Sequence, residues 1–358
     1  MSHLLKDQIS LLQLECLADL LIKHNAKFDK QVFINLVVTD SWERLGLKQR
    51  IKKVSASLNQ CLSGDFEAQL TSLLLVHHQF NGLFHYIFSE FVECYGLEFF
   101  EASMSALSQF TQTSSSEFAV RPFIIKYPEK MASQLESWAQ SDNEHLRRLA
   151  SEGIRPKLPW AKHLPEIAQN PQRVKPIIDL LNNDSSRYVQ KSVANLMNDL
   201  SKTQPQWVLC EIDKWDLMQS NRFWIARHAL RTLLKKGDVE ALSILGYPKP
   251  SHIKLQNFSL NEKVQLGNKI PFSFTLQSQQ QLGLVRLEYA ISFLRKKNTA
   301  YRKVFKISES SIQAKQKSWN SHHDFKKINT RNYYPGIHVL EVMVNGQVLK
   351  TSEFTLID

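Results

Sequence analysis

The spacing of apolar residues divides the chain into two parts. Up to about Gly246, apolar side chains recur three and four positions apart, which places them on one face of an α-helix. The clearest run comprises Phe80, Leu83, Phe84, Ile87, Phe88, Phe91 and Val92. Polar N-cap residues at 141–143, 183–185 and 220–221 mark helix starts. The pattern therefore predicts a series of short helices.

After the stretch Tyr247–Pro250, apolar and polar residues alternate instead. Alternation runs through Phe272–Leu276, Val285–Ile291 and Val339–Val344, as in half-buried β-strands. Asn345-Gly346 then predicts a two-residue hairpin turn. Short strands without any cysteine in this part indicate a disulfide-free immunoglobulin-like sandwich.

A weak repeat runs through the helical part. Leu146–Ala150, Val189–Val193 and Ile225–Ala229 share an apolar-any-basic-any-small pattern, and their starts lie 43 and 36 residues apart. That period is typical of stacked helix pairs of the HEAT or armadillo type. We therefore predict an all-α HEAT-like repeat solenoid over residues 1–247 and an all-β immunoglobulin-like sandwich over residues 251–358.

Positive charge is concentrated in the second part. The 358 residues carry a net charge of +11, and residues 251–358 hold 16 Lys and Arg against 7 Asp and Glu. The first 250 residues hold 29 against 27. Such asymmetry favours a polyanionic partner, nucleic acid before membrane, while a solubilising surface is the alternative.

The remaining composition indicates a cytoplasmic protein. No apolar run reaches the length of a membrane span, and the first residues lack the features of a signal peptide. Cys16, Cys61, Cys94 and Cys210 are scattered, without the spacing of a zinc site or a disulfide framework. We expect no membrane association.

Three acids of the helical part, Glu117, Glu152 and Asp199, are candidates for chemistry. Glu152 follows a helical stretch with Arg147 and Arg148 and precedes Arg155, two prolines and Trp160. An acid in such a setting is either a structural ion pair or part of a site that handles a cation. Each acid alone reads first as a capping or paired carboxylate.

Other chemistries lack their motifs. The pairs His77-His78 and His322-His323 have no convincing set of further metal ligands. Phosphate-binding glycine loops, a nucleophilic serine elbow and the deaminase motif are all absent from the sequence. We therefore expect no metal and no nucleotide cofactor, and hydrolysis would depend on carboxylates.

Several long motifs resemble one family. Arg147–Ala161 (RRLASEGIRPKLPWA), Ser192–Lys202 and His228–Gly237 resemble the AlkC family of bacterial DNA glycosylases. Lys303–Lys306 and Thr330–His338 resemble the form with a C-terminal immunoglobulin-like domain. The resemblance covers nearly the whole chain.

The resemblance implies removal of alkylated bases, 3-methylcytosine and 3-methyladenine, from double-stranded DNA by a bacterial protein that lies on the nucleoid when bound. It implies that Glu117, Glu152 and Asp199 are catalytic and that Trp160 lies beside the lesion. Because an alkylated base is a cationic leaving group, acids need only stabilise an oxocarbenium-like sugar and position a water. Without a candidate Schiff-base lysine we expect a monofunctional glycosylase without strand cleavage, acting as a monomer.

We predict a set of residues that contact DNA or the substrate, from the repeats, the motifs and the basic C-terminal half. They are Trp160, Arg148, Arg155, Arg187, Lys191, Trp224, Arg231, Lys303, Lys306 and Arg331. Further basic clusters are Arg295–Lys297, Arg302 and Lys326–Lys327. The alternative function is a non-catalytic HEAT-repeat scaffold that binds DNA or protein, since solenoids are often pure binding modules.

Overall fold

The computed structural model describes residues 4–295, 299–326 and 332–358. The chain forms two compact units, a first that ends at Gln204 and a second that spans Pro205–Asp358. Among the described residues, no helix is both long and apolar enough to cross a membrane.

Twelve α-helices lie in the described residues of the first unit. They are α1 Leu11–Leu21, α2 Lys30–Val37, α3 Leu47–Cys61, α4 Phe66–Val76, α5 Tyr86–Tyr95, α6 Phe100–Thr113, α7 Val120–Lys126, α8 Pro128–Ala139, α9 Glu144–Glu152, α10 Pro165–Gln169, α11 Lys175–Leu181 and α12 Arg187–Leu200. The second unit begins with four more, α13 Pro205–Asp213, α14 Ser220–Ala229, α15 Arg231–Leu234 and α16 Val239–Ile244.

Eight strands follow in the described residues of the second unit. They are β1 Lys254–Leu260, β2 Lys263–Gln265, β3 Lys269–Gln277, β4 Gly283–Leu294, β5 Ala300–Ile312, β6 Gln316–Asp324, β7 Gly336–Val344 and β8 Gln347–Ile357. One sheet has the order β1-β3-β6 and the other β2-β8-β7-β4-β5. Only the β2–β8 pair is parallel among the described strands.

The alternation seen in the sequence builds the core of the sandwich. Phe272 and Phe274 of one sheet and Leu287, Ile291 and Leu340 of the other are buried in one apolar cluster. Burying one face of each sheet in this way is what holds two sheets together. The change from helices to strands is thus confirmed.

The hairpin prediction is also confirmed. Asn345 and Gly346 both have positive φ angles, 47° and 78°, and connect β7 to β8. These angles fit a tight turn whose twist matches that of the strands, and glycine accepts such an angle without steric cost.

Two predicted helix starts differ in detail. Asn143 caps α9 as predicted, but the cap of α12 is Ser186, one residue beyond the predicted segment. The Asp184 carboxylate pairs with Arg147 at 2.6 and 3.1 Å and accepts the backbone N–H of Ser186 at 2.8 Å. Gln219 precedes α14, so Ser220 is its first residue and not its cap.

The three repeated pentads lie in α9, α12 and α14, but they begin at the third residue of α9 and α12 and at the sixth residue of α14. Helix α9 packs on α8 and on α12, and α12 also packs on α11. Helices α13–α16 belong to the same compact unit as the strands. The domain boundary between residues 247 and 251 stays a prediction.

A buried histidine pair stabilises the first unit. His77 Nδ1 lies 3.1 Å from His85 Nε2, and His85 has no exposed surface. Phe88 and Phe110 contact both rings. Burial and, to a smaller extent, neighbouring His77 lower the pKa of His85 to about 3. The ring is therefore neutral when the protein is folded.

This burial predicts acid sensitivity. Below about pH 6.5, the ordinary pKa of histidine, His85 binds a proton in the unfolded chain but stays neutral in the folded protein. The free energy of unfolding therefore falls by up to about 1.4 kcal/mol for each pH unit of acidification. We expect His85→Leu to reduce the slope between pH 6.5 and pH 5 in urea unfolding. The exposed neighbour offers the control His78→Gln, which should keep the wild-type slope, and equal slopes in all three proteins would contradict the assignment.

Candidate active site

The site begins where α9 ends. Glu152 is the last residue of α9, and Gly153 follows it. A Cβ atom at position 153 would lie 2.6 Å from Val120 Cγ2. Only glycine therefore lets the end of α9 pack this closely on α7, which fixes the position of Glu152.

Glu117 reaches the same place from the segment between α6 and α7. Ser115 Oγ donates to Glu117 Oε2 at 2.7 Å, and Arg148 of α9 forms an ion pair with the same oxygen. Arg148 Nη1 also donates to Ser115 Oγ at 2.7 Å, and its guanidinium lies 5.1 Å from the Tyr188 ring centroid. Arg148 thus holds the Glu117 carboxylate against α9.

Arg155 joins the two other predicted acids. Its Nη1 donates to Glu152 Oε1 at 2.6 Å, and its Nε donates to Asp199 Oδ2 at 2.9 Å. Ser192 of α12 donates to Glu152 Oε2 at 2.7 Å. Lys202 donates to Asp199 Oδ1 at 2.9 Å.

These contacts form one chain of charges of alternating sign, which we call the ion ladder. Its members are Glu117, Arg148, Glu152, Arg155, Asp199 and Lys202. Arg148 completes the chain with a distance of 3.6 Å from its Nη2 to Glu152 Oε1. Three carboxylates and three cations make the ladder neutral. The structure thus brings together all three acids that the sequence proposed.

The carboxylates of the ladder raise the pKa values of its arginines. Burial alone would lower the pKa of Arg155, but Glu152 and Asp199 together hold it above its ordinary value. Burial also opposes the charge of Arg148, and Glu117 and Glu152 raise its pKa in the same way. For buried Arg121 of α7, burial and then the charge of Arg155 lower the pKa to about 10, although Glu117, Glu93 and Asp199 act in the opposite direction.

A cavity of about 280 Å³, the acid cavity, opens beside the ladder. Its walls are lined by Leu47, Lys48, Ile51, Leu83, Tyr86, Glu90, Glu117, Phe118, Glu152, Arg155, Leu158, Pro159 and Trp160. Glu117, Glu152, Arg155 and Trp160 were predicted from the sequence. Asp199 is not in the wall and lies behind Arg155.

Trp160 stands at the tip of a loop. Its side chain is 65% exposed and its φ angle is 64°, a left-handed conformation that costs a non-glycine residue about 1–3 kcal/mol. Arg121 fixes both flanks of this loop, because Nη1 donates to Gly153 O at 2.8 Å and Nε donates to Lys162 O at 2.6 Å. The surrounding structure thus holds the indole out beside the acids.

The remaining predicted residues lie elsewhere. Arg187 and Lys191 are exposed on α12. In the second unit, Trp224, Arg231, Lys303 and Lys306 line a cavity of about 850 Å³, the basic cavity. Its walls carry eight Lys and Arg and one acid, Glu288: Arg227, Arg231, Lys235, Lys236, Arg286, Arg302, Lys303 and Lys306.

The other predicted basic clusters lie partly within and partly outside the described residues. Arg302 lines the basic cavity and pairs with Glu341 at 2.6 Å, and Arg295 lies over the Tyr301 ring. The backbone N–H of Lys326 donates to Asp324. Arg331, Lys296, Lys297 and Lys327 lie outside the described residues.

Sequence reasoning missed the other nine residues of this wall, of which four are polar or aromatic: Lys48, Tyr86, Glu90 and Phe118. Tyr86 and Glu90 stand four positions apart on α5, a spacing that marks one helical face. That signal was present in the sequence. Nothing in the local pattern marks Lys48, which comes from α3, far earlier in the chain.

Residues 34–236 match the family described as DNA alkylation repair enzyme, and residues 254–358 match the domain described as "Uncharacterised protein YhaZ, C-terminal Ig-like domain". The chain therefore belongs to the DNA alkylation repair enzyme family.

Two similar proteins align with almost the full length of this chain. The chain is 42% identical over 329 residues to the "Uncharacterized protein YhaZ" of Bacillus subtilis (strain 168), which covers 91% of this chain and 92% of that protein. It is also similar to Pseudomonas fluorescens alkylpurine DNA glycosylase AlkC bound to DNA containing an abasic site analog, with 35% identity, a TM-score of 0.84 and full coverage of both chains. The predicted resemblance and the fold, helical repeats followed by an immunoglobulin-like sandwich, are confirmed.

The ion ladder predicts a large stability loss when its centre is removed. Arg155→Met leaves Glu152 and Asp199 buried without their shared cation, which should lower the free energy of unfolding by about 3–5 kcal/mol. Arg173→Met is the matched control. It breaks pairs at 3.0 and 3.7 Å with the exposed Glu166 and Glu129, worth about 1 kcal/mol or less. Urea unfolding at pH 7 measures both, and equal losses would contradict a central role of Arg155.

Proposed function

We propose that the chain is a DNA glycosylase that hydrolyses the N-glycosidic bond of cationic methylated bases, 3-methylcytosine and 3-methyladenine. The observation that carries the proposal is the pair of buried carboxylates, Glu117 and Glu152, fixed in the wall of the acid cavity by arginines. Family membership and the likeness to the Pseudomonas glycosylase support it.

The chemistry needs charge more than proton transfer. A base alkylated on a ring nitrogen carries a positive charge and leaves without protonation. The sugar left behind develops oxocarbenium character, which fixed negative charge nearby stabilises. The arginines keep Glu117 and Glu152 in place, so little reorganisation is needed as the charge develops.

Glu152 is proposed to position the attacking water. Its Oε1 faces Arg155 at 2.6 Å and Arg148 at 3.6 Å. Among the described residues, Ser192 is the one donor to Oε2. A carboxylate oxygen accepts two hydrogen bonds, so Oε2 has a position left for a water.

Asp199 has a different proposed role, because it is 3% exposed and lies behind Arg155. Its charge balances that of Arg155, which leaves the Glu152 carboxylate less neutralised towards the cavity. Glycosylases that also cleave the strand form a Schiff base through a lysine. Lys48 lines the acid cavity, but its ammonium donates to the backbone carbonyl of Trp160, so we do not propose it as such a nucleophile. The product is therefore an intact strand with an abasic site.

Contact with double-stranded DNA is proposed for the basic cavity of the second unit and for exposed Arg187 and Lys191. Eight Lys and Arg around one cavity form a field that attracts phosphate. Trp224 stacks on His228 in the same wall, with ring centroids 5.0 Å apart. Binding by such residues is largely independent of sequence. The enzyme is proposed to act as a monomer.

A non-catalytic DNA-binding scaffold is the second candidate. The observation that favours it is the complete pairing of the ladder, since purely structural acids would also be paired. Base release from an alkylated duplex separates the two candidates, because a scaffold binds DNA and releases no base.

Excision should depend on the three acids. We expect Glu152→Gln to lower the single-turnover rate of 3-methylcytosine release by about 100-fold or more, because the amide lacks the charge that stabilises the sugar. Glu117→Gln and Asp199→Asn should each lose activity as well.

The matched control is Asp184→Asn. Asp184 is a largely buried, arginine-paired carboxylate beside the same two helices, and it is absent from the wall of the acid cavity. It should retain wild-type excision. Full activity of Glu152→Gln would remove Glu152 from the mechanism, and equal losses in all four variants would indicate a purely structural effect.

Lys303 and Lys306 should affect the salt dependence of DNA binding. Replacing both with alanine should make the slope of log K against log salt shallower by about 2, since each lost phosphate contact removes about 0.9. The control changes Lys317 and Lys350, which lie in the same sandwich outside the basic cavity. Fluorescence anisotropy on a labelled duplex gives both slopes. A slope equal to that of the control would place the DNA elsewhere.

A further inference from the structure

We propose that Lys48 is a positioning residue that fixes the Trp160 loop for base excision. The inference rests on the proposed glycosylase function and concerns a residue from a distant part of the chain. Lys48 Nζ donates a hydrogen bond to the backbone carbonyl of Trp160, 112 residues away. The same ammonium lies 4.4 Å from the centroid of the Phe118 ring.

These two contacts span the acid cavity. Phe118 follows Glu117 directly, and Trp160 forms another part of the wall. Lys48 itself comes from the first turn of α3. It thus connects three separate segments at the mouth of the cavity.

The loop needs such a contact at its tip. Arg121 holds the flanks through the carbonyls of Gly153 and Lys162. Between those points Trp160 keeps a φ angle of 64°, which a tryptophan adopts only when its surroundings enforce it. Lys48 binds the carbonyl of this residue and so sets the orientation of the peptide that carries the indole.

The charge of Lys48 argues for positioning and against direct substrate binding. An ammonium in the wall of a cavity that accepts a cationic base repels that base. The ammonium donates one hydrogen bond to a carbonyl and lies over the Phe118 ring, and these two contacts partly compensate its positive charge. Holding the loop is the role these contacts fit.

A double-mutant cycle with Trp160 tests the proposal. Lys48→Met should lower the single-turnover rate of 3-methylcytosine release by about 10- to 100-fold, as expected for a misplaced group beside the reaction centre. Lys48→Met in a Trp160→Phe background should lower the rate no further than Trp160→Phe alone. Lys48→Arg should restore part of the loss, since arginine can donate to the same carbonyl.

Lys52→Met is the control, because Lys52 is exposed on the same helix and does not line the acid cavity. It should keep the wild-type rate. Wild-type activity of Lys48→Met, or a double variant whose loss is the product of the two single losses, would overturn the proposal. Since Lys48 is exposed, thermal unfolding of its variants should match the wild type, and a lowered Tm with no rescue by arginine would assign it a structural role.

A second readout separates this proposal from the proposed function. The fluorescence of Trp160 is obtained without DNA by subtracting the emission spectrum of the Trp160→Phe variant from that of the protein that retains Trp160. We expect Lys48→Met to shift this emission and to increase its quenching by acrylamide, because the indole is released. If the wild type releases no base, the glycosylase proposal fails, but the emission measurement still tests the role of Lys48. Unchanged Trp160 emission in Lys48→Met would overturn the positioning role.

Discussion

The structure of the first unit depends on the ion pairs that neutralise its three buried carboxylates with Arg148, Arg155 and Lys202. An uncompensated buried charge costs several kcal/mol, so Glu117, Glu152 and Asp199 can be buried only as members of the ion ladder. Residues from three stretches, 115–117, 148–155 and 192–202, supply the ladder and its hydrogen-bonding serines. Folding of these segments and assembly of the site are therefore the same event.

The ladder also explains how a basic protein can stabilise a cation. A net charge of +11 favours DNA and disfavours a cationic reaction centre. Short-range contacts decide the local field, because burial reduces screening by water and salt. The wall of the acid cavity carries Glu90, Glu117 and Glu152 against Lys48 and Arg155, and Arg148 lies outside this wall. Charge at the surface and charge at the site thus serve different steps of one proposed reaction.

Much of the fold and the acids of the site could be predicted from the sequence, because patterns of neighbouring residues mark them. Helices and strands follow from the spacing of apolar residues, and the Asn345-Gly346 turn from backbone preferences. Glu152 and Asp199 lie in two of the long motifs, whereas Glu117 lies outside them. The contacts of Arg121 with Lys162 and of Lys48 with Trp160 were not predictable, since they join residues 41 and 112 positions apart. Such pairs are decided by packing, and no local pattern records them.

The central claim is that fixed negative charge in the acid cavity stabilises a cationic sugar. The most direct test compares the affinity of the protein for duplexes that contain a cationic pyrrolidine or a neutral tetrahydrofuran abasic analogue. A transition-state mimic should bind more tightly, so we predict a preference for pyrrolidine of about 10-fold or more that Glu152→Gln abolishes. Equal affinity of the wild type for both duplexes at the same salt concentration would contradict the account.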